Sequence, residues 1–331
     1  MTKLRYASPL AFVLAATALS ACSAQKQETN EFEEALPEQG SVNVDGPDGA
    51  RADSSTAAGM RGTLADGGTS DPAFWYSFTR DVRDGVNAVT AVVLVSVWVV
   101  VHTEPSELDD DHAVFGPYEG DALDPARYRL TVLRIGDHHF RYVLDGQEKS
   151  GGDYLTVLDG DGYSRASEHH GDGQFVLNLT NAKTLDPSRH ANDSGTVTIV
   201  HDLPPDVGLR PDALPRTITA TVTPEGEASL SIASFAREDH TGEIDLSAHV
   251  DIDPSHMTAL EDVTVTSRWQ ATGAGRADIN ISGGDLPQAG FDQVTAVECW
   301  GTDFSRVYYT DSAGLQPTAG SPSECVYGAP E

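Results

Sequence analysis

Carboxylates and imidazoles dominate the reactive side chains of this chain, with 51 Asp and Glu and 11 His in 331 residues. Asp159-Gly160-Asp161-Gly162 is its most calcium-like stretch. An EF-hand loop needs another oxygen ligand at position five, glycine at six and glutamate at twelve. Tyr163, Ser164 and His170 stand there, so a hairpin turn is expected instead. Asp109-Asp110-Asp111-His112 and the pairs His138-His139 and His169-His170 carry ligand-type atoms. Neighbours on a strand point to opposite faces, however, so these read as solvated loops or strand ends and no metal is assigned. The Gly-x-Ser-x-Gly elbow, His-Glu-x-x-His, the Walker A loop and Gly-x-Gly-x-x-Gly are all absent from the sequence. With no catalytic motif and no cofactor motif, the chain is read as a non-enzyme. Gly273-Ala274-Gly275-Arg276 is expected to be a hairpin turn. Arg268 and Arg276 are expected to pair with carboxylates such as Asp278.

The cysteines carry the sharper signal. Lys3 and Arg5 precede an apolar run over residues 7–19, and Leu19-Ser20-Ala21 leads into Cys22. This is a secretory layout, too short to span a bilayer, which takes about 20 helical residues. Small residues ending in cysteine resemble the lipobox of bacterial lipoproteins. The likeness implies a signal peptide over 1–21 and a Cys22 that carries acyl chains such as palmitate and anchors the mature chain. Cys299 and Cys325 are then the one remaining pair, in an oxidising compartment where a disulfide persists. Closing that loop would contribute about 3–4 kcal/mol by chain entropy.

Loss of residues 1–21 would remove Lys3 and Arg5 and no acid, leaving 19 basic against 51 acidic side chains, a charge of about −32. Such a field repels nucleic acid and anionic lipid headgroups alike.

Around these residues the chain divides in three. Residues 22–68 pair the lipidated cysteine with an acidic, Gly- and Ser-rich stretch, expected to be a disordered tether with a span of roughly 35–40 Å. Residues 69–331 are expected to form one helix-plus-sheet domain. Ser70-Asp71-Pro72 is a helix start signal. Phe74, Trp75, Phe78, Val82, Val86, Val89 and Val93 follow at helical spacing. The pattern continues into the valine-rich run 92–101. That run is expected to be helical and buried all round, with a strand and a membrane span as the alternatives. After residue 125 the period is two, as in Ile218/Ala220/Val222, Ile244/Leu246/Ala248 and Phe175/Leu177/Leu179. About ten to twelve antiparallel strands are expected, with no helix among them. The fold class is α+β, mainly β. A long N-terminal helix is expected against a strongly curved antiparallel sheet, an open or half barrel. A β-sandwich with the helix outside is the runner-up.

Asp109-Asp110-Asp111-His112-Ala113-Val114-Phe115-Gly116-Pro117, Ser267-Arg268-Trp269, Gly273 to Asp278, Glu298-Cys299-Trp300 and Tyr308-Tyr309 resemble a myxobacterial-type lipoprotein family with no assigned activity. The likeness spans roughly 70–327, transfers no catalytic residue, and implies an outer-membrane home. Ser23 after Cys22 fits that home, since the inner-membrane retention signal typically has aspartate there. The order of anchor, helix and sheet is also similar to half-barrel lipoproteins that carry acyl chains, by architecture alone. The functional expectation is a lipoprotein of the cell envelope binding a lipid or acyl chain in an apolar concavity. The alternative is a structural or protein-interaction lipoprotein whose concavity is filled by its own helix. A pocket of at least about 300 Å³ separates the two.

Overall fold

The computed structural model describes residues 31–33, 35–37, 40–47, 72–120, 124–163, 171–191, 193–203, 214–252 and 258–328. Cys22 and residues 1–21, where a signal peptide is expected, lie outside them. Among the described residues the protein is mainly β, with fifteen antiparallel strands in one open sheet whose spatial order follows the chain from β1 to β15. The strands are β1 (Pro105–Leu108), β2 (His112–Tyr118), β3 (Ala126–Gly136), β4 (His139–Glu148), β5 (Leu155–Tyr163), β6 (Asp172–Asn178), β7 (Thr196–Asp202), β8 (Arg216–Thr223), β9 (Leu230–Ala236), β10 (Gly242–Val250), β11 (Glu261–Trp269), β12 (Gly275–Gly283), β13 (Gln293–Trp300), β14 (Arg306–Asp311) and β15 (Ala319–Gly320). Thirteen of them, β3 to β15, follow residue 125, where ten to twelve were expected. Helix α1 (Phe74–Val101) precedes them, and a short helix α2 (Leu179–Leu185) interrupts the meander between β6 and β7.

The period-two pattern sorts the faces. Row by row across the strands, Tyr142, Gly160, Phe175, Ile199, Ala220, Ile232, Leu246, Val265 and Ile279 are in register and point to one side. These side chains, apart from the glycine, join those of α1 in one buried cluster. The neighbouring row Val143, Asp159, Val176, Thr198, Thr221, Ser231, Ser247 and Thr264 faces away from that cluster. A chain buried on one face only alternates in this way, because each full burial of a Val, Leu, Ile or Phe side chain contributes about 1.5–3 kcal/mol.

Three local expectations are corrected. Asp159-Gly160-Asp161-Gly162 is no turn but the body of β5. Its glycines face the core, where a Cβ on Gly160 would come within 2.6 Å of both Tyr142 and Phe175. Its aspartates face out, Asp159 to Arg141 and Asp161 to His139. Leu179 continues the apolar alternation of β6 by sequence but begins α2, because Asn178 turns its side chain to accept the Asn181 N–H as an N-cap. The third correction concerns the tether. Phe32, Leu36, Val42 and Val44 are at most 3 % exposed and belong to the core. Phe32 meets Phe140 edge to face at 5.8 Å. Arg216 of β8, itself buried, pairs with Asp45 and donates to the Gly40 carbonyl at 3.1 Å. Composition alone hid this strap, since four well-spaced apolar residues need only a prepared surface to bury against.

Candidate functional site

The apolar face of the sheet is where a ligand concavity was expected. Two elements of the chain itself stand on it. The strap is held by Asn87, whose side-chain amide donates to the Val44 carbonyl (2.9 Å) and accepts from the Val44 N–H (2.8 Å). Helix α1 contributes Tyr76, Val86, Val93, Leu94, Val97, Val100 and Val101 to the buried cluster. It contacts β2 and β3 near one edge of the sheet and β11, β12 and β13 near the other.

The start of α1 is anchored by a residue that sequence reasoning missed. The helix begins at Phe74, just beyond the expected start signal; Ser70 and Asp71 lie outside the described residues, the N-cap Ala73 makes no side-chain bond, and Pro72 bridges to Ser305. The first-turn N–H groups of a helix need acceptors. Glu298 of β13, fully buried, supplies one: its carboxylate accepts from the Trp75 N–H at 2.5 Å and from Arg306 Nε at 2.6 Å. Burial pushes this carboxyl above the usual carboxylate range, against the pull of the Trp75 N–H and Arg306. One turn on, the Thr79 and Ser267 hydroxyls share a buried hydrogen bond of 2.6 Å, and Tyr76 packs against Trp300 and Phe304. The only sequence clue to Glu298 was an acid at a core position of an alternating strand.

The other half of α1 meets the sheet through aliphatic side chains, and it is not buried all round. Val95 is 44 % and Trp98 56 % exposed, so that expectation is corrected. By length and composition α1 could cross a membrane, with a mean hydropathy of 2.0 over its most apolar stretch. Beside this half, among the described residues, lies a cavity of about 140 Å³. That is well short of the roughly 300 Å³ at which ligand pockets begin. Two polar atoms in the core have no partner among the described residues, Tyr142 Oη and His201 Nε2.

The sequence-marked residues fall elsewhere. Cys299 of β13 is bonded to Cys325, with Cα atoms 5.4 Å apart. The bridge brings the C-terminal segment onto the outer face, where Tyr327 Oη donates to the Trp269 carbonyl at 2.9 Å and the Tyr327 ring lies 5.3 Å from the Arg268 guanidinium. Arg268 and Arg276 both bind Asp278, at 3.2 and 2.5 Å. His112 sits between Asp109 (2.7 Å) and Glu107 (3.6 Å). His139 stacks on Tyr163, while His138 is exposed at the β3–β4 turn. His169 and His170 lie outside the described residues, as Cys22 does. Among the described residues, no group of three His, Cys, Asp or Glu is arranged to hold a metal ion. Comparison with protein-family models, with curated proteins and with solved structures finds no match.

Proposed function

We propose that this chain is a cell-envelope lipoprotein, anchored through Cys22, that works as a structural or protein-interaction module rather than as a lipid carrier. In this reading the sheet curves as an open half barrel around α1, which explains how one helix touches both β2–β3 and β11–β13. A sheet of this size must curl, close or split, and an apolar helix inside gives it an object to curl around. One observation carries the choice between the two functional classes: among the described residues, the chain's own strap and helix pack on the apolar face, and the cavity found beside the helix holds about 140 Å³. An acyl chain would have to displace Phe32, Val44 or α1 and expose the surface they bury.

The strap also changes the reach of the anchor. Glu31, whose carboxylate pairs with Arg134 at 2.8 Å, is nine residues on from Cys22. Nine extended residues reach about 30 Å at most. The domain is thus held close to the bilayer, nearer than a tether running to residue 68 would place it. The outer membrane remains the proposed home, on Ser23 and the lipobox-like site. Native mass spectrometry of the delipidated protein, with organic extraction of the same sample, tests the reading. No stoichiometric lipid is expected, and one acyl lipid per chain would overturn it. Cys22→Ser should move the protein to the soluble fraction, and retention in the membrane would show that anchoring does not depend on this thiol.

A further inference from the structure

His201 of β7 is buried without a full set of partners. Its Nδ1 lies 3.3 Å from the Gly171 carbonyl, which can only accept, so Nδ1 carries the proton of the neutral ring and Nε2 keeps a lone pair. Nε2 has no partner among the described residues. It is wedged against the neighbouring strand, since a Cβ added at Gly173 would come within 3.0 Å of it. The row across the sheet runs Phe140, Gly162, Gly173, His201, Ile218, so only glycines separate the imidazole from Phe140. His190, also buried, differs in having the Asp193 carboxylate 2.8 Å from its Nδ1. Burial pushes the His201 imidazole below its ordinary value, against the pull of the Gly171 carbonyl, Asp172 and Asp202. Those two acids are in register with each other one residue along, on the other side of the sheet. On the inner side, β8 brings Arg216, whose charge is paired with Asp45 of the strap. The Tyr142 hydroxyl of β4 is kept protonated by burial, β5 presents glycine, and no charged residue of α1 is buried.

We propose that His201 is an acid-operated latch on the β6–β7 pair: a proton on Nε2 drives the imidazole out of the core and opens the Gly171–Leu203 end, while the rest of the sheet stays paired. Protonation can only occur at Nε2, where it makes a buried cation whose new N–H has no acceptor. Outside the core the same cation meets water and the field of Asp172 and Asp202. Departure of the ring breaks its bond to the Gly171 oxygen, which also takes the Leu203 N–H at 3.1 Å and closes the ladder. Gly171 and Gly173 have no side chains to hold that end once the ring has gone. Opening stops further along, where Phe175, Leu177, Val197 and Ile199 are buried. The folded protein takes this proton less readily than the unfolded chain does. The latch is therefore closed above about pH 6.5, and its contribution is lost as pH falls toward the lowered value. None of this depends on the interaction reading above.

The test follows the full chain, carrying Cys22→Ser, by nuclear magnetic resonance from about pH 7.5 down to about pH 5. The ring nitrogen signals of His201, identified by their loss in His201→Phe, should show the Nδ1–H tautomer at the upper end. Their midpoint should lie below that of the exposed His138. Over the same transition the Leu203 amide, corrected for intrinsic exchange, should lose hydrogen-exchange protection at least about tenfold, while the amides of β11 keep theirs. In His201→Phe the Leu203 protection should no longer vary with pH. Should that variant fail to fold, the ring titration and the Leu203 exchange of the parent still decide. A His201 midpoint equal to that of His138, or Leu203 protection that ignores the ring's titration, overturns the proposal. So does loss of β11 protection in step with Leu203, which would make the event unfolding of the whole sheet instead of a latch.

Discussion

The two halves of α1 are docked by different physics. From Phe74 to Asn87 the helix is pinned by directional bonds. Glu298 takes its first-turn N–H, Ser267 takes Thr79, and Asn87 pairs with the strap. From Val93 to Val101 the contacts are aliphatic, with exposed Val95 and Trp98 on the far side and a cavity at the edge. Apolar burial supplies free energy without direction, while buried polar bonds cost much when broken and so fix one arrangement. The first half specifies where the helix sits. The second half supplies much of the burial and leaves a face open.

The largest expected effect lies in the second half. Val93→Asp puts an unpaired carboxylate at a position 3 % exposed. The cost is several kcal/mol, and cooperative unfolding of the whole domain should be lost in a denaturant titration. The same change at Val95, 44 % exposed, should cost no more than about 0.5 kcal/mol. Equal effects at the two positions would erase the distinction between buried and open faces.

Glu298→Ala comes next. It leaves the Trp75 N–H and a largely buried Arg306 without their shared acceptor, at a cost of about 3 kcal/mol. Its pH dependence has a definite sign. Burial raises the folded-state carboxyl of Glu298 above its unfolded value, so the folded protein holds that proton longer. Its contribution is therefore most favourable below about pH 4.5 and declines as pH rises through the raised folded value. Glu298→Gln should remove this slope from the stability profile relative to the parent, and an unchanged slope would assign it to other groups.

Reduction of Cys299–Cys325 should act more locally. Tyr327 and the 3-10 turn Pro322–Glu324 have little buried surface to hold them, so proteolysis beyond residue 310 should rise while the central strands stay protected. A modest effect is expected at Thr79→Val, about 1 kcal/mol, since Ser267 loses one buried partner. A null result there would mean that Glu298 and Asn87 alone place the first half.

Much of the architecture was legible because it rests on local periodicity. The helical spacing from Phe74 and the alternation from Ile218 to Val250 depend only on which residues seek burial, and the observed α1, β8, β9 and β10 follow them. The cysteine pair could be named because only two remain once Cys22 is set aside. Composition misled where burial is decided by a distant partner. Residues 31–47 look like linker until β4 and β8 present Phe140 and Arg216 to them. Asp159 to Gly162 looks like a turn until Tyr142 and Phe175 require glycine on the strand beside them.

The sequence by itself determined the class of the fold, the net charge of −30, and the cysteine pair. These follow from residue type and near-neighbour spacing, which every chain segment carries with it. Tertiary structure alone decided that the apolar face is already occupied, that the helix is capped by a glutamate 223 residues away, and that Trp98 faces outward. Those facts depend on which surfaces meet, and a surface exists only after strands far apart in sequence have been set side by side.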